Sequence, residues 1–142
     1  MRRLRLVLDT NIFLVCLAPN FKLHWIYKSS IAGKYELCVT TEILNEYQEI
    51  ISSRYGLNKT NSTLDFLLLL PNVYQINPHF KWNLLKDVDD NKFIDCAVAG
   101  NADFIITNDK HFNILKNVDF PPISKLTSQE FENQFKELLG KN

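Results

Sequence analysis

Apolar and polar positions along this chain switch repeatedly between a short-run pattern and a helical one. Leu4 to Leu8 is an apolar run broken only by Arg5 and closed by Asp9-Thr10-Asn11. A run of that length, bounded by turn and cap residues, predicts a strand buried on both faces. Ile12 to Leu17 predicts the opening of a helix capped by Thr10 or Asn11, and Leu23 to Ala32 a second helix stopped by Gly33. Tyr35 to Val39 predicts the next strand. Thr40-Thr41 then offers an N-cap to a helix from Glu42 to about Tyr55, which Gly56 ends. Ile43, Leu44, Tyr47, Ile50 and Ile51 recur at helical spacing and form its apolar stripe.

The second half repeats the alternation. Residues 57–63 predict a loop and cap before a helix at Leu64 to Leu70, whose leucine run is expected in the core. Pro71-Asn72 turns the chain into a third strand, Val73 to Ile76, and residues 77–88 are the least regular stretch. A helix from about Asp89 to Asn101 leads to a fourth strand, Ala102 to Thr107. A short strand around Ile123-Ser124 follows Pro121-Pro122, and Thr127-Ser128-Gln129-Glu130 is a capping box opening a last helix. Strands alternating with helices predict a parallel α/β sheet, and such sheets bind ligands beyond the carboxyl ends of their strands.

Composition narrows the class. At 142 residues, 46% hydrophobic and 23% charged, the chain can build one ordinary core and is neither disordered nor fibrous. Sixteen basic and sixteen acidic residues cancel, which excludes a strong positive field, so any nucleic-acid contact must be local. Cys16, Cys38 and Cys96 form no CxxC and no zinc pattern, and are expected as buried small hydrophobes in a reducing cytoplasm. Met1-Arg2-Arg3 and the apolar residues after it imitate a signal peptide, but Asp9 and Asn11 interrupt the run, and a first strand fits better. No stretch is apolar for long enough to span a membrane.

Four carboxylates change the picture further. Asp9 and Asp109 close the first and fourth strand-like runs, where a turn acid is also expected for local reasons. At roughly 100° per residue, Glu46 borders the apolar stripe of its helix while Glu42 and Glu49 point further out. Glu46 either reaches a shared site or pairs with a Lys or Arg. Asp90 is in line with Phe93, Ile94, Ala97 and Val98, whereas Asp95 projects away from that face. Either Asp89 caps the helix and Asp90 turns to the site, or the reverse. Thr10, Asn11, Thr107 and Asn108 flank the strand-end acids with hydroxyls and amides able to orient a carboxylate or a metal-bound water. Gathered at one sheet edge, such acids require divalent cations, and cations held by carboxylates alone point to phosphodiester chemistry.

Asp9-Thr10-Asn11 after a first strand, Glu46 in the helix after the second, Asp89-Asp90-Asn91 opening a helix with Ala97, and the run from Ala102 to Asp109 together resemble the PIN domain. Within that family they resemble the small bacterial VapC-like toxin components of toxin–antitoxin systems. The resemblance implies a three-layer α/β/α sandwich with a central parallel sheet, as a single domain over 1–142 with its core at about 4–124 and a C-terminal helix at 127–139. It also implies an endoribonuclease dependent on Mg²⁺ or Mn²⁺. Its catalytic and metal-binding acids fall on Asp9, Glu46, Asp90 and Asp109, with Thr10, Asn11, Thr107 and Asn108 in support. The Asn108 position is often Gly in relatives, and Asn tolerates the left-handed turn this suggests.

The expected partners are an RNA substrate and a small antitoxin, with a homodimer through the apolar helix at Leu64 to Leu70 as a further expectation. Lys86, Lys92, Lys110 and His111 lie close enough in sequence to the acids to hold phosphates, or else form a solvated face; Phe80 and Trp82 could stack on bases or pack inward. Two further readings keep the PIN fold: a non-catalytic RNA- or protein-binding module, and a housekeeping RNA-processing nuclease. A phospho-accepting receiver domain would need adjacent acids after the first strand and an Asp after the third. Only Asp9 follows the first, and Asn77 follows the third.

Overall fold

The computed structural model describes residues 3–140. Five strands, β1 (Arg5–Leu8), β2 (Glu36–Val39), β3 (Val73–Gln75), β4 (Phe104–Ile106) and β5 (Lys125–Leu126), form one parallel sheet in the order β3-β2-β1-β4-β5. The central register pairs Leu6 with Leu37 on one side and Leu6, Val7 and Leu8 with Phe104, Ile105 and Ile106 on the other. Leu6, Val7, Leu8, Leu37, Cys38, Val39, Ile105 and Ile106 are all buried, which is why these strands are continuous apolar runs without alternation.

The connections set the layers. From β1 the chain moves outward through α1 (Thr10–Cys16) and α2 (His24–Ile31) to β2, and through α3 (Thr41–Tyr55) and α4 (Leu57–Leu69) to β3. It then returns across β1 through α5 (Asn91–Ala99) to β4. Right-handed crossovers therefore put α1 to α4 on one face and α5 on the other, giving an α/β/α sandwich. The last helix, α6 (Ser128–Gly140), packs beside α2, with the Trp25 and Phe131 rings stacked 5.2 Å apart. The strand order reverses between β1 and β4, so the crevice of this sheet opens at their carboxyl ends.

Local contacts anchor that crevice from behind. Arg5 donates to Glu36 at 2.9 Å and to the Gly100 carbonyl at 2.8 Å, pinning the amino ends of β1 and β2 to the end of α5. Tyr47 on α3 is fully buried, stacks on Phe13 at 4.4 Å and donates to the Leu8 carbonyl at 2.5 Å. α3 is thereby fixed to the residue preceding Asp9. Cys16, Cys38 and Cys96 are buried and free.

Four local expectations are corrected. Residues 57–63 are not a loop: α4 begins at Leu57, with Gly56 at φ +85° making the sharp turn from α3. The leucine run is not wholly core, since Leu67 is buried while Leu69 is 82% exposed. The last strand is Lys125–Leu126 rather than Ile123-Ser124, because Ile105 and Ile106 take those residues as partners. Asn108 keeps a negative φ and does not make a left-handed turn; Asn83 and Asn101 do. The Thr127–Glu130 capping box forms reciprocally at 2.8 and 3.1 Å.

Candidate active site

Asp9 leaves β1 with extended backbone and stands at the N-cap position of α1, yet its side chain makes no cap bond to that helix. Its carboxylate turns to β4 instead, where the Thr107 hydroxyl donates to Oδ2 at 2.7 Å. The same hydroxyl oxygen accepts the Asp109 amide at 3.1 Å, so one threonine ties both strand-end acids together. Burial pushes the Asp9 carboxyl up; the Thr107 bond and the Thr10 amide hold it down, and Asp109 and Glu46 raise it further.

Glu46 arrives from α3, the helix that Tyr47 pins to β1. Its Oε2 accepts the Thr10 hydroxyl, and its Oε1 lies 2.7 Å from the Lys92 ammonium. Glu46 is paired with a lysine, and it also lies near enough to Asp9 and Asp90 to act on both electrostatically. Lys92 is correspondingly not a free phosphate-binding cation. Asn11 is exposed on the first turn of α1 and, among the described residues, makes no side-chain hydrogen bond.

The third acid comes from the irregular stretch. Asp87 accepts the Asp89 amide at 3.0 Å, which starts a 3₁₀ turn over Val88–Asp90, and the turn runs directly into α5. Asp87 is therefore the capping aspartate, Asp89 is exposed, and Asp90 stands half-buried at the head of α5 with no cap bond. Burial first, and then Asp87, Asp109, Asp9 and Glu46, push the Asp90 carboxyl up to about 6. One anion is crowded by four others. Asp90, Asp109 and His111 offer ligand atoms that all lie within 4.8 Å of one another, and Asp9 and Glu46 are near enough for their charges to act on Asp90. His111 is fixed by its amide donating to Asp109 at 2.9 Å and by its Nδ1 at 3.2 Å from the same oxygen.

Sequence reasoning missed several supports. Asn91 is buried and clamps the loop, accepting the Leu85 amide at 2.9 Å and donating to its carbonyl at 3.1 Å. Asp95 leaves the apolar stripe as expected but is buried, not solvated: it accepts the Trp82 amide at 3.0 Å. Asp87 had a readable signal, since an Asp two residues before an amide is the spacing of an Asx turn. Asn91, Asp95 and the Lys92 pair had none, because their partners are set by the path of a loop without periodicity. Asn108 was expected to orient the acids. It instead donates to the Ser128 hydroxyl at 3.0 Å and accepts the Ser128 amide at 2.9 Å, joining β4 to α6.

Lys86 lies on the rim beside His111, where both line a cleft with Leu85, Asp87 and Ile114. Phe80 is 75% exposed, and Trp82 meets Phe120 edge to face at 5.7 Å. The donor set at the centre is carboxylate oxygen with one imidazole, which suits a hard divalent cation.

Residues 5–111, from the first residue of β1 to the histidine beside Asp109, match the PIN domain. The chain belongs to the PIN domain family. It is 28% identical over 150 residues to the uncharacterized protein MJ1680 of Methanocaldococcus jannaschii, covering 97% of this chain and 96% of that one. In fold, this PIN domain is similar to a chain of VapBC2 from Rickettsia felis bound to a DNA fragment from their promoter. The TM-score is 0.59 at 18% identity, over 87% of this chain and 98% of that one.

Proposed function

We propose that this PIN domain is an endoribonuclease that hydrolyses RNA phosphodiester bonds with Mg²⁺ or Mn²⁺, and that it is the toxin of a toxin–antitoxin pair. One observation carries the reading: acids from four separate segments lie close together at the β1/β4 crevice, where burial first and then the surrounding anions push Asp90 to about 6. A fold that needed only stability would not hold Asp9, Asp90 and Asp109 together with no lysine or arginine paired to them among the described residues.

Asp9, Asp90 and Asp109 would hold the ion, with Glu46 beside them and His111 at the rim. When bound, the cation supplies Lewis acidity, acidifying water and offsetting charge that builds on the phosphate and the leaving oxygen. The rest is done by the chain. Thr107 opposes the burial that raises the Asp9 carboxyl and fixes its direction toward Asp109. Thr10 and Lys92 hold Glu46. Lys86 lines the cleft with His111 next to Asp87, where a phosphate backbone entering the site would meet the Lys86 ammonium.

The toxin role and a small antitoxin partner rest on the likeness of the acid motifs to VapC-like proteins. Exposed Phe66 and Leu69 on α4 offer apolar area for a second copy of the chain. The test is incubation of end-labelled structured RNA, and of DNA of the same sequence, with the purified chain in Mn²⁺, Mg²⁺ or EDTA. RNA fragments that require the divalent ion are expected, and an intact RNA under every condition contradicts the reading. Growth arrest on expression, relieved by the neighbouring reading frame, is expected of a toxin and not of a housekeeping nuclease.

A further inference from the structure

Lys92 lies two residues beyond Asp90 on the first turn of α5, and its side chain reaches Glu46 with only 11% of it exposed. An ammonium withdrawn from water to that degree is stable only against a counter-charge. Glu46 supplies it, with Oε1 2.7 Å from Nζ, while Oε2 takes the Thr10 hydroxyl. Both oxygens of Glu46 are therefore engaged, one of them by a positive charge that the chain carries itself. The Phe93 ring, 5.6 Å from the same nitrogen, adds a second attraction.

Across the site, Asp90, Asp109 and His111 gather their ligand atoms within 4.8 Å, and Asp9, tied to Asp109 through the Thr107 hydroxyl, and Glu46 both lie outside that group. What divides the four acids is pairing: Glu46 has a lysine of its own, and Asp9, Asp90 and Asp109 have no lysine or arginine paired to them among the described residues. A two-metal site needs a second ion about 4 Å from the first, held by carboxylate oxygens of its own. Glu46 is the acid that would provide them, and its oxygens are already taken.

We propose that the Lys92 ammonium serves Glu46 as its counter-charge in place of a second metal ion, so that the site takes a single divalent cation at Asp9, Asp90 and Asp109. This rests on the metal-dependent reading above. Lys92 is then a positioning residue that acts through Glu46, and it gives the site one positive charge that no chelator can remove.

Calorimetric titration of Mn²⁺ into the full chain, with electron paramagnetic resonance counting bound ions, tests the assignment on wild type, Lys92→Arg, Lys92→Met, Glu46→Gln and Asp90→Asn. One Mn²⁺ per chain is expected for wild type and for Lys92→Arg, which keeps the charge. Folded Lys92→Met is expected to bind two, because Glu46 is released. Glu46→Gln should change the affinity of the single ion less than about threefold, and Asp90→Asn should weaken it at least about tenfold. Two ions on wild type, one on folded Lys92→Met, or equal losses in Glu46→Gln and Asp90→Asn would overturn the inference alone. Wild type that binds no Mn²⁺ would overturn the metal-site reading and this inference with it. Where Lys92→Met does not fold, the wild-type stoichiometry and the Glu46→Gln comparison still decide.

Discussion

Asp90 carries the main electrostatic strain of the site, since burial and four neighbouring acids raise its carboxyl from 3.8 to about 6. Between those values the folded chain keeps a proton that the unfolded chain has lost, so the folded state is favoured at low pH. The stability contributed by Asp90 is fully present below about pH 4 and is lost as the pH rises through about 6. Asp90→Asn should therefore raise the melting temperature of the metal-free protein at pH 7, by roughly 1 kcal/mol once solvent screening of a half-exposed group is allowed for. The variant should also flatten the decline between pH 4 and 6 in thermal scans and lose cleavage; a lower melting temperature at pH 7 contradicts this account. Thr107→Val removes the hydroxyl shared by Asp9 and the Asp109 amide, and should cost about 2 kcal/mol in denaturant unfolding while slowing cleavage. Thr107→Ser should restore most of both. At this scale Asp9, Asp109 and Glu46 were legible, because a strand end or a helical phase fixes where each side chain goes. The choice of Asp90 over Asp89 was left open, since it depends on the Asp87 turn, and the Lys92 pairing depends on two helices meeting across the site.

The elements that carry the acids differ in how they are held. β1 and β4 follow from their own apolar runs and pair in register, so their ends place Asp9 and Asp109 with little help. The segment before α5 has no period to read. Its path is set by Asn91 gripping Leu85 and by Asp95 gripping Trp82. Asn91→Ala should cost about 2 kcal/mol in unfolding experiments and should reduce cleavage as well, because the turn bearing Asp90 loses its anchor. The other end of α5 is crowded. A Cβ at Gly100 would sit 3.0 Å from both Cys38 Sγ and the Cys96 carbonyl, so Gly100→Ala should destabilise by about 1–2 kcal/mol despite an ordinary backbone conformation. α4 shows the opposite failure of legibility: its first turn is polar and suggested a loop, but Gly56 permits an abrupt start and Thr60, Leu64 and Leu67 bury one face.

The whole molecule places a concentrated negative site on a chain with no net charge. On the proposed reading, a chain with no net charge would hold RNA by few phosphate contacts and by the metal-loaded site. The logarithm of RNA affinity should therefore fall only shallowly with the logarithm of salt, with a slope no steeper than about −2 for a single strand. A slope near −5 in fluorescence titrations would contradict this. No helix among the described residues is long and apolar enough to cross a membrane. The order of strands and helices was legible because each switch of period is closed by a cap or turn residue; the loop that delivers Asp90 was not. If the acids at the β1/β4 crevice hold a cation that serves RNA cleavage, as proposed, wild type and Asp9→Asn will differ sharply on one end-labelled structured RNA in Mn²⁺. Wild-type fragments that vanish with EDTA are expected, with a rate at least about a hundredfold lower for folded Asp9→Asn. Equal cleavage by the two chains, or wild-type cleavage that survives EDTA, would contradict it.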